Sequence, residues 1–133
     1  KNINYNKIRK SNVLLEQLIK ATKTYDVVVL SDNHKYHLEQ VLRRRFNLGI
    51  KDFRSLGISC YDITSTEEKG IFWPKNSERA LINFCKKHKK RTQNCVFVDN
   101  NKANIMAGKS VGMKSVYINK HRSLRGFLRT INH

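Results

Sequence analysis

Cys95-Val96-Phe97-Val98-Asp99-Asn100-Asn101-Lys102-Ala103-Asn104-Ile105-Met106-Ala107-Gly108-Lys109-Ser110-Val111-Gly112-Met113-Lys114-Ser115-Val116-Tyr117-Ile118 is the stretch on which the fold turns. Cys95–Val98 is dense, apolar and largely β-branched or aromatic, which predicts a strand. Three polar residues end it. Lys102–Val111 carries small and apolar residues at helical spacing and is stopped by Gly112, a residue suited to the turn that closes a helix. Ser115–Ile118 predicts the next strand. A strand, a short helix and a second strand in so few residues form a parallel pair joined by a crossover.

The same alternation continues upstream. Tyr25–Ser31 contains Val27-Val28-Val29-Leu30, a continuous apolar run of the kind that a parallel sheet covers on both faces. Ser31, Asp32 and Asn33 are placed to cap the following helix, which carries Leu38, Val41, Leu42 and Phe46 on one side and ends near Gly49. Leu56–Ile63 predicts a strand, followed by a loop containing Gly70 and Pro74. Ser77 caps a helix running through Ala80, Leu81 and Phe84. Ser123 caps a final helix with Leu124, Phe127, Leu128 and Ile131. Before all of these, Val13, Leu14, Leu18 and Ile19 recur at helical spacing behind a polar, basic segment at 1–10. The fold class is α/β with a parallel sheet. The chain divides into a basic extension with a lead-in helix at 1–23 and a core at 24–133, without linker or repeat. It begins at Lys1, as expected of a processed chain or part of a longer one.

The length of 133 residues accommodates a domain with a modest core. No apolar stretch approaches the roughly 20 residues that span a bilayer, so no membrane partner is expected. The 27 basic residues against 10 acidic ones leave a formal charge of +17, a field that attracts polyanions and points to RNA or a ribonucleoprotein as partner. Lys86, Lys87, Lys89, Lys90 and Arg91 stand almost in a row at a helix end. Arg122, Arg125 and Arg129 follow the last strand beside Lys120, and Arg43-Arg44-Arg45 is a further cluster. Such residues contact phosphate backbones, or form a solvated face. Cys60, Cys85 and Cys95 are odd in number and match no zinc spacing. They read as buried free thiols in a reducing, intracellular compartment, a mitochondrial or other organellar matrix included.

In open α/β sheets ligands bind beyond the carboxyl ends of the strands. Two such ends are polar here. Ser31 offers a hydroxyl to a phosphate oxygen, and Asp99 offers a hard oxygen to magnesium. The helix N-termini that follow favour an anion. Spacing alone equally allows both residues to be helix caps. His34 and His37 lie near the first tip, either as exposed helix histidines or within reach of a phosphate. Phe72 and Trp73, beside Pro74, are either loop anchors or a lip on which a substrate stacks.

The stretch from Cys95 to Ile118 resembles the fourth motif of haloacid dehalogenase (HAD) superfamily phosphatases, with its strand ending in an acid, its Asn-Ile helix and its Gly-Met turn. Leu30-Ser31-Asp32-Asn33 resembles the second motif. Lys75-Asn76-Ser77-Glu78-Arg79-Ala80-Leu81 resembles the third, with Lys69 as a rival for its lysine. The resemblance covers residues 24–133 and implies a HAD-like three-layer sandwich. It implies that Ser31, Asp32, Asn33 and Lys75 hold the phosphoryl group, and that Asp99 and Asn100 hold magnesium if the domain is active. Ser31, Lys75 and Asp99 would be the catalytic set. Family chemistry is attack by an aspartate to give an aspartyl-phosphate that water hydrolyses.

The first motif, Asp-x-Asp, is absent. The acids are Glu16, Asp26, Asp32, Glu39, Asp52, Asp62, Glu67, Glu68, Glu78 and Asp99, and no two aspartates are separated by one residue. Asn100 also stands where a second acid is common. In the resembled fold the strand carrying that motif lies between those ending at Ser31 and Asp99. Its slot would be filled by an upstream segment, another subunit, or the short Asn2–Tyr5 run. Three functions follow. The preferred one is a catalytically inactive HAD-like domain serving as a basic scaffold or RNA-binding component of a nucleic-acid assembly, such as an organellar ribosome. The alternative is a magnesium-dependent phosphomonoester hydrolase whose nucleophile lies outside this chain. The third is a protein-interaction module.

Overall fold

The computed structural model describes residues 13–132; the basic segment 1–10, with Asn2–Tyr5, lies outside them. In chain order the elements are α1 (Val13–Ala21), β1 (Val27–Leu30), α2 (Lys35–Phe46), α3 (Ile50–Ser55), β2 (Ile58–Tyr61), β3 (Glu67–Glu68), β4 (Ile71–Phe72), α4 (Glu78–Lys87), β5 (Val96–Asp99), α5 (Lys102–Ser110), β6 (Lys114–Tyr117) and α6 (His121–Ile131). Short 3-10 turns cover Ile63–Thr66 and Thr92–Asn94. The protein is mixed α/β, with short parallel sheets and helices.

The chain forms two compact units. The first holds 13–30, 35–61 and 121–132. There β1 pairs in parallel with β2, Val27 opposite Ile58 and Leu30 opposite Tyr61. The core is Leu15, Leu38, Leu42, Ile50, Phe53, Leu56 and Ile58, with the Phe46 and Phe53 rings edge to face at 5.3 Å. That arrangement of rings matches their quadrupoles, negative face to positive edge. α6 packs on α1, and Asn132 Nδ2 donates to Gln17 O at 2.9 Å and to Gln17 Oε1 at 3.0 Å. α3 is absent from the sequence expectation, being too short to show a period. It is fixed by its first turn: Asp52 accepts from Gly49 N at 2.8 Å, and Glu39 of α2 accepts from Ile50 N at 2.7 Å.

The second unit holds 31–34 and 62–120. β5 pairs in parallel with β6, Val96 opposite Lys114 and Asp99 opposite Tyr117, with α5 as the crossover. The close is as read from the sequence: Gly112 has φ +89°, and Met113 N reaches back to Gly108 O at 3.0 Å. Only a residue without a Cβ penalty takes that φ cheaply. α4 buries Ala80, Leu81 and Cys85 beside Ile105, Ala107 and Met113 of the same unit.

Several expectations are corrected. The loop after β2 contains a hairpin, β3–β4, turned by Lys69 and Gly70 at φ 51° and 82°. Two successive positive φ values are those of a type I′ turn, whose twist matches paired strands. Two-residue strands carry no readable alternation. The final helix begins at His121, so Ser123 lies inside it and does not cap it. Ser77 holds the N-cap position of α4 without a side-chain hydrogen bond. β1 is not covered on both faces: no residue of it is fully buried, and Val28 is 39% exposed. Among the described residues β1 pairs only with β2 and β5 only with β6, so each strand keeps one edge without a ladder.

Candidate functional site

β5 ends at Asp99, and its carboxylate does not cap the helix that follows. Asn101 does: its Oδ1 accepts from Ala103 N at 2.9 Å and from Asn104 N at 3.2 Å. A short side-chain oxygen at the N-cap satisfies amides that have no partner within the helix. Asp99 is thereby released for another role. Its Oδ1 accepts from Asn101 N at 2.9 Å, and its Oδ2 faces Lys75 Nζ at 3.0 Å. The lysine side chain is 17% exposed and the aspartate 7%.

Lys75 arrives on the loop ahead of α4 and is held by its main chain as well. Its N donates to Asp32 Oδ1 at 2.9 Å. Asp32 is thus a tether between the loop after β1 and the loop ahead of α4. An anionic carboxylate is an acceptor only, which counts against the phosphate-binding role expected of it. Ser31 Oγ accepts from Asn33 N at 3.0 Å, and Asn33 O accepts from Ile63 N at 3.0 Å. Ser31, Asp32, Asn33, Lys75, Asp99 and Asn100 all belong to the second unit. Lys69, the rival lysine, sits on the exposed hairpin turn, and Lys75 makes the pair with Asp99.

The two aromatic residues of the loop separate in role. Trp73 is an anchor: its carbonyl accepts from Thr66 Oγ1 at 2.7 Å, and the Arg79 guanidinium stacks 5.5 Å from its ring. Arg79 is itself paired with Glu68 of the hairpin at 2.9 Å. The Trp73 indole N–H is buried and has no partner among the described residues. Phe72 is 43% exposed, with its ring edge to face with His34 at 6.0 Å. His37, in the first unit, is exposed, with its ring edge to face with Tyr36 at 5.6 Å.

A magnesium ion takes an octahedron of oxygens, with one or two carboxylates among them. Asp99 has both its oxygens engaged, one of them by a cation, and Asp32, the other carboxylate at this site, already accepts from Lys75 N. Asn100 beside it is exposed and uncharged. Among the described residues no three His, Cys, Asp or Glu side chains converge to hold a metal. The residues present therefore do not fit magnesium without a further ligand.

The basic residues fall into both units. Lys86, Lys87, Lys89, Lys90 and Arg91 are all exposed at the close of α4, in the second unit. Arg129 is exposed on α6, in the first, where Arg122 also lies. Arg125 is part-buried there, and its Nε has no partner among the described residues. Arg44 and Arg45 line an open surface hollow with Val41 on α2. Cys60, in the first unit, is part-buried, and burial pushes its thiol up to about 11. Cys85 is buried and Cys95 part-exposed, so burial holds for one of the three cysteines and in part for two.

Asn101 as a cap was readable from its place before a helix, and Asp32 as a tether was not, because its partner is 43 positions away. No helix of the described residues is long and apolar enough to cross a membrane. Compared with protein-family models, with curated proteins and with solved structures, the chain matches none of them.

Proposed function

We propose that this chain is a HAD-like domain, catalytically silent as it stands, that serves as a basic scaffold or RNA-binding component of a nucleic-acid assembly such as an organellar ribosome. The observation that carries this reading is the state of Asp99. Its two oxygens accept from Lys75 Nζ and Asn101 N, so the carboxylate expected to hold magnesium is already engaged within the chain. The polyanion half of the reading rests on the +17 charge and on the exposed run from Lys86 to Arg91. Each phosphate neutralised by such residues releases a counterion, so binding of this kind weakens steeply with salt.

The same ion pair also supports a second reading. A scaffold has no need of a lysine and an aspartate paired at 3.0 Å in a largely buried position, whereas a phosphate site does: the lysine offsets the charge of phosphate and nucleophile. On this reading the chain is part of a magnesium-dependent phosphomonoester hydrolase, and a segment outside it supplies the nucleophile and the missing metal ligand.

One set of measurements separates the two. The whole protein, with whatever segments flank this chain, is assayed for magnesium-dependent hydrolysis of p-nitrophenyl phosphate and for binding of a single-stranded RNA across a salt series. The scaffold reading expects no hydrolysis above background. It expects RNA binding that survives Asp99→Ala and is lost when Lys86, Lys87, Lys89, Lys90 and Arg91 are changed to Gln. Hydrolysis that disappears with Asp99→Ala would overturn it in favour of the second reading.

A further inference from the structure

The close of α4 brings two cysteines together. α4 ends in a Schellman turn without glycine: Lys89 takes φ 54°, and Lys90 N donates back to Cys85 O at 2.9 Å. The chain then passes through the 3-10 turn, where Asn94 N donates to Arg91 O and Cys95 N to Thr92 O. This tight return places Cys95 against the last turn of the helix it has just left. The Cys95 thiol donates to Arg91 O at 3.3 Å, and its sulfur lies 3.9 Å from that of Cys85. Both residues belong to the second unit, and Cys60 belongs to the first.

We propose that Cys85 and Cys95 are a dithiol modification site, closed to a disulfide by a low-molecular-weight disulfide such as oxidised glutathione, and that closure pins the basic turn Lys86–Arg91 between them. A disulfide has its sulfurs about 2.05 Å apart, so the pair must approach by roughly 2 Å. Cys95, part-exposed and flanked by Arg91, attacks first. Its thiolate displaces one glutathione thiolate and forms a mixed disulfide. Cys85 then attacks the Cys95 sulfur, loses its proton to solvent and expels the second glutathione. Two protein thiols are oxidised, and one glutathione disulfide is reduced to two thiols. The order follows from exposure: Cys85 is 3% exposed, and burial beside Cys95 pushes its thiol up to about 12. The closed ring contains the whole basic run, so the same segment that is offered to a polyanion is the one that oxidation fixes.

The test uses the full chain, reduced and then incubated with oxidised glutathione. Trypsin cuts at lysine and arginine, and the run between the two cysteines is rich in both. The expected result is loss of two hydrogens from the intact mass, with Cys60 still open to alkylation. After limited tryptic cleavage within the run, the two fragments stay joined on a non-reducing gel and separate with dithiothreitol. Cys60→Ser leaves this result unchanged. Cys85→Ala stops at a glutathione adduct on Cys95. Cys95→Ser, at the more exposed position, gives neither adduct nor bridge at that pair. Oxidised wild-type protein whose fragments separate without reductant would overturn the proposal. So would a stable adduct on Cys95 in the wild type, or a bridge that requires Cys60.

Discussion

Asp99→Ala tests the ion pair on which the candidate site is built. At 3.0 Å from Lys75 Nζ, the attraction between the two charges is roughly 5 kcal/mol at an effective dielectric of about 20. Desolvation of two groups that are 17% and 7% exposed offsets much of it, leaving a net coupling of about 2 kcal/mol. Removing the aspartate takes this carboxylate from Lys75 and frees Asn101 N, at a cost of about 3 kcal/mol. Lys75→Met leaves a carboxylate that still accepts from Asn101 N, and costs about 2 kcal/mol. If the two are coupled, the double variant costs about 3 kcal/mol, the same as the worse single change. The assay is equilibrium urea unfolding followed by the fluorescence of Trp73, the sole tryptophan, which lies in the same unit as the pair. Single-variant losses that add to within about 0.5 kcal/mol in the double variant would refute the pair and, with it, the account of Asp99 as internally satisfied.

Phe53, fully buried in the first unit, loses about 4 kcal/mol on truncation to Ala, whereas Phe72→Ala on the exposed hairpin changes stability by less than about 0.5 kcal/mol; urea midpoints followed by circular dichroism check both. A Cβ at Gly108 would meet Ser115 Oγ at 2.5 Å and Phe97 Cδ2 at 2.6 Å, so Gly108→Ala costs about 1–3 kcal/mol in the Trp73-monitored transition. Glu39 is held below the usual carboxylate range, chiefly by the hydrogen bond from Ile50 N and then, against the opposing effect of burial, by Arg43. A depressed folded pKa contributes stability above the ordinary glutamate value and loses it as pH falls through the folded one. Stability of the first unit therefore drops in the acid range below about pH 4.5, and Glu39→Gln flattens that drop when urea midpoints are compared across pH; an unchanged pH profile would count against the Ile50 contact.

The local order of strands and helices was legible because each long element announces itself. Val27–Leu30 and Cys95–Val98 are apolar runs too short for helices, and Gly112 marks a helix end by the φ it alone accepts without strain. The places of Ser31 and Asp99 at strand ends and of Lys75 just ahead of a helix were legible as well. What the sequence left open was the direction of each carboxylate. Asp32 and Asp99 were both fit to cap a helix, and spacing does not distinguish a cap from a ligand or a tether. Tertiary structure decided it by bringing Lys75 between them, with its main chain on one and its ammonium on the other. The hairpin, α3 and the Cys85–Cys95 approach are of the same kind. They rest on contacts between positions whose own neighbours carry no period, and a contact across the fold has no trace in local hydrophobic pattern.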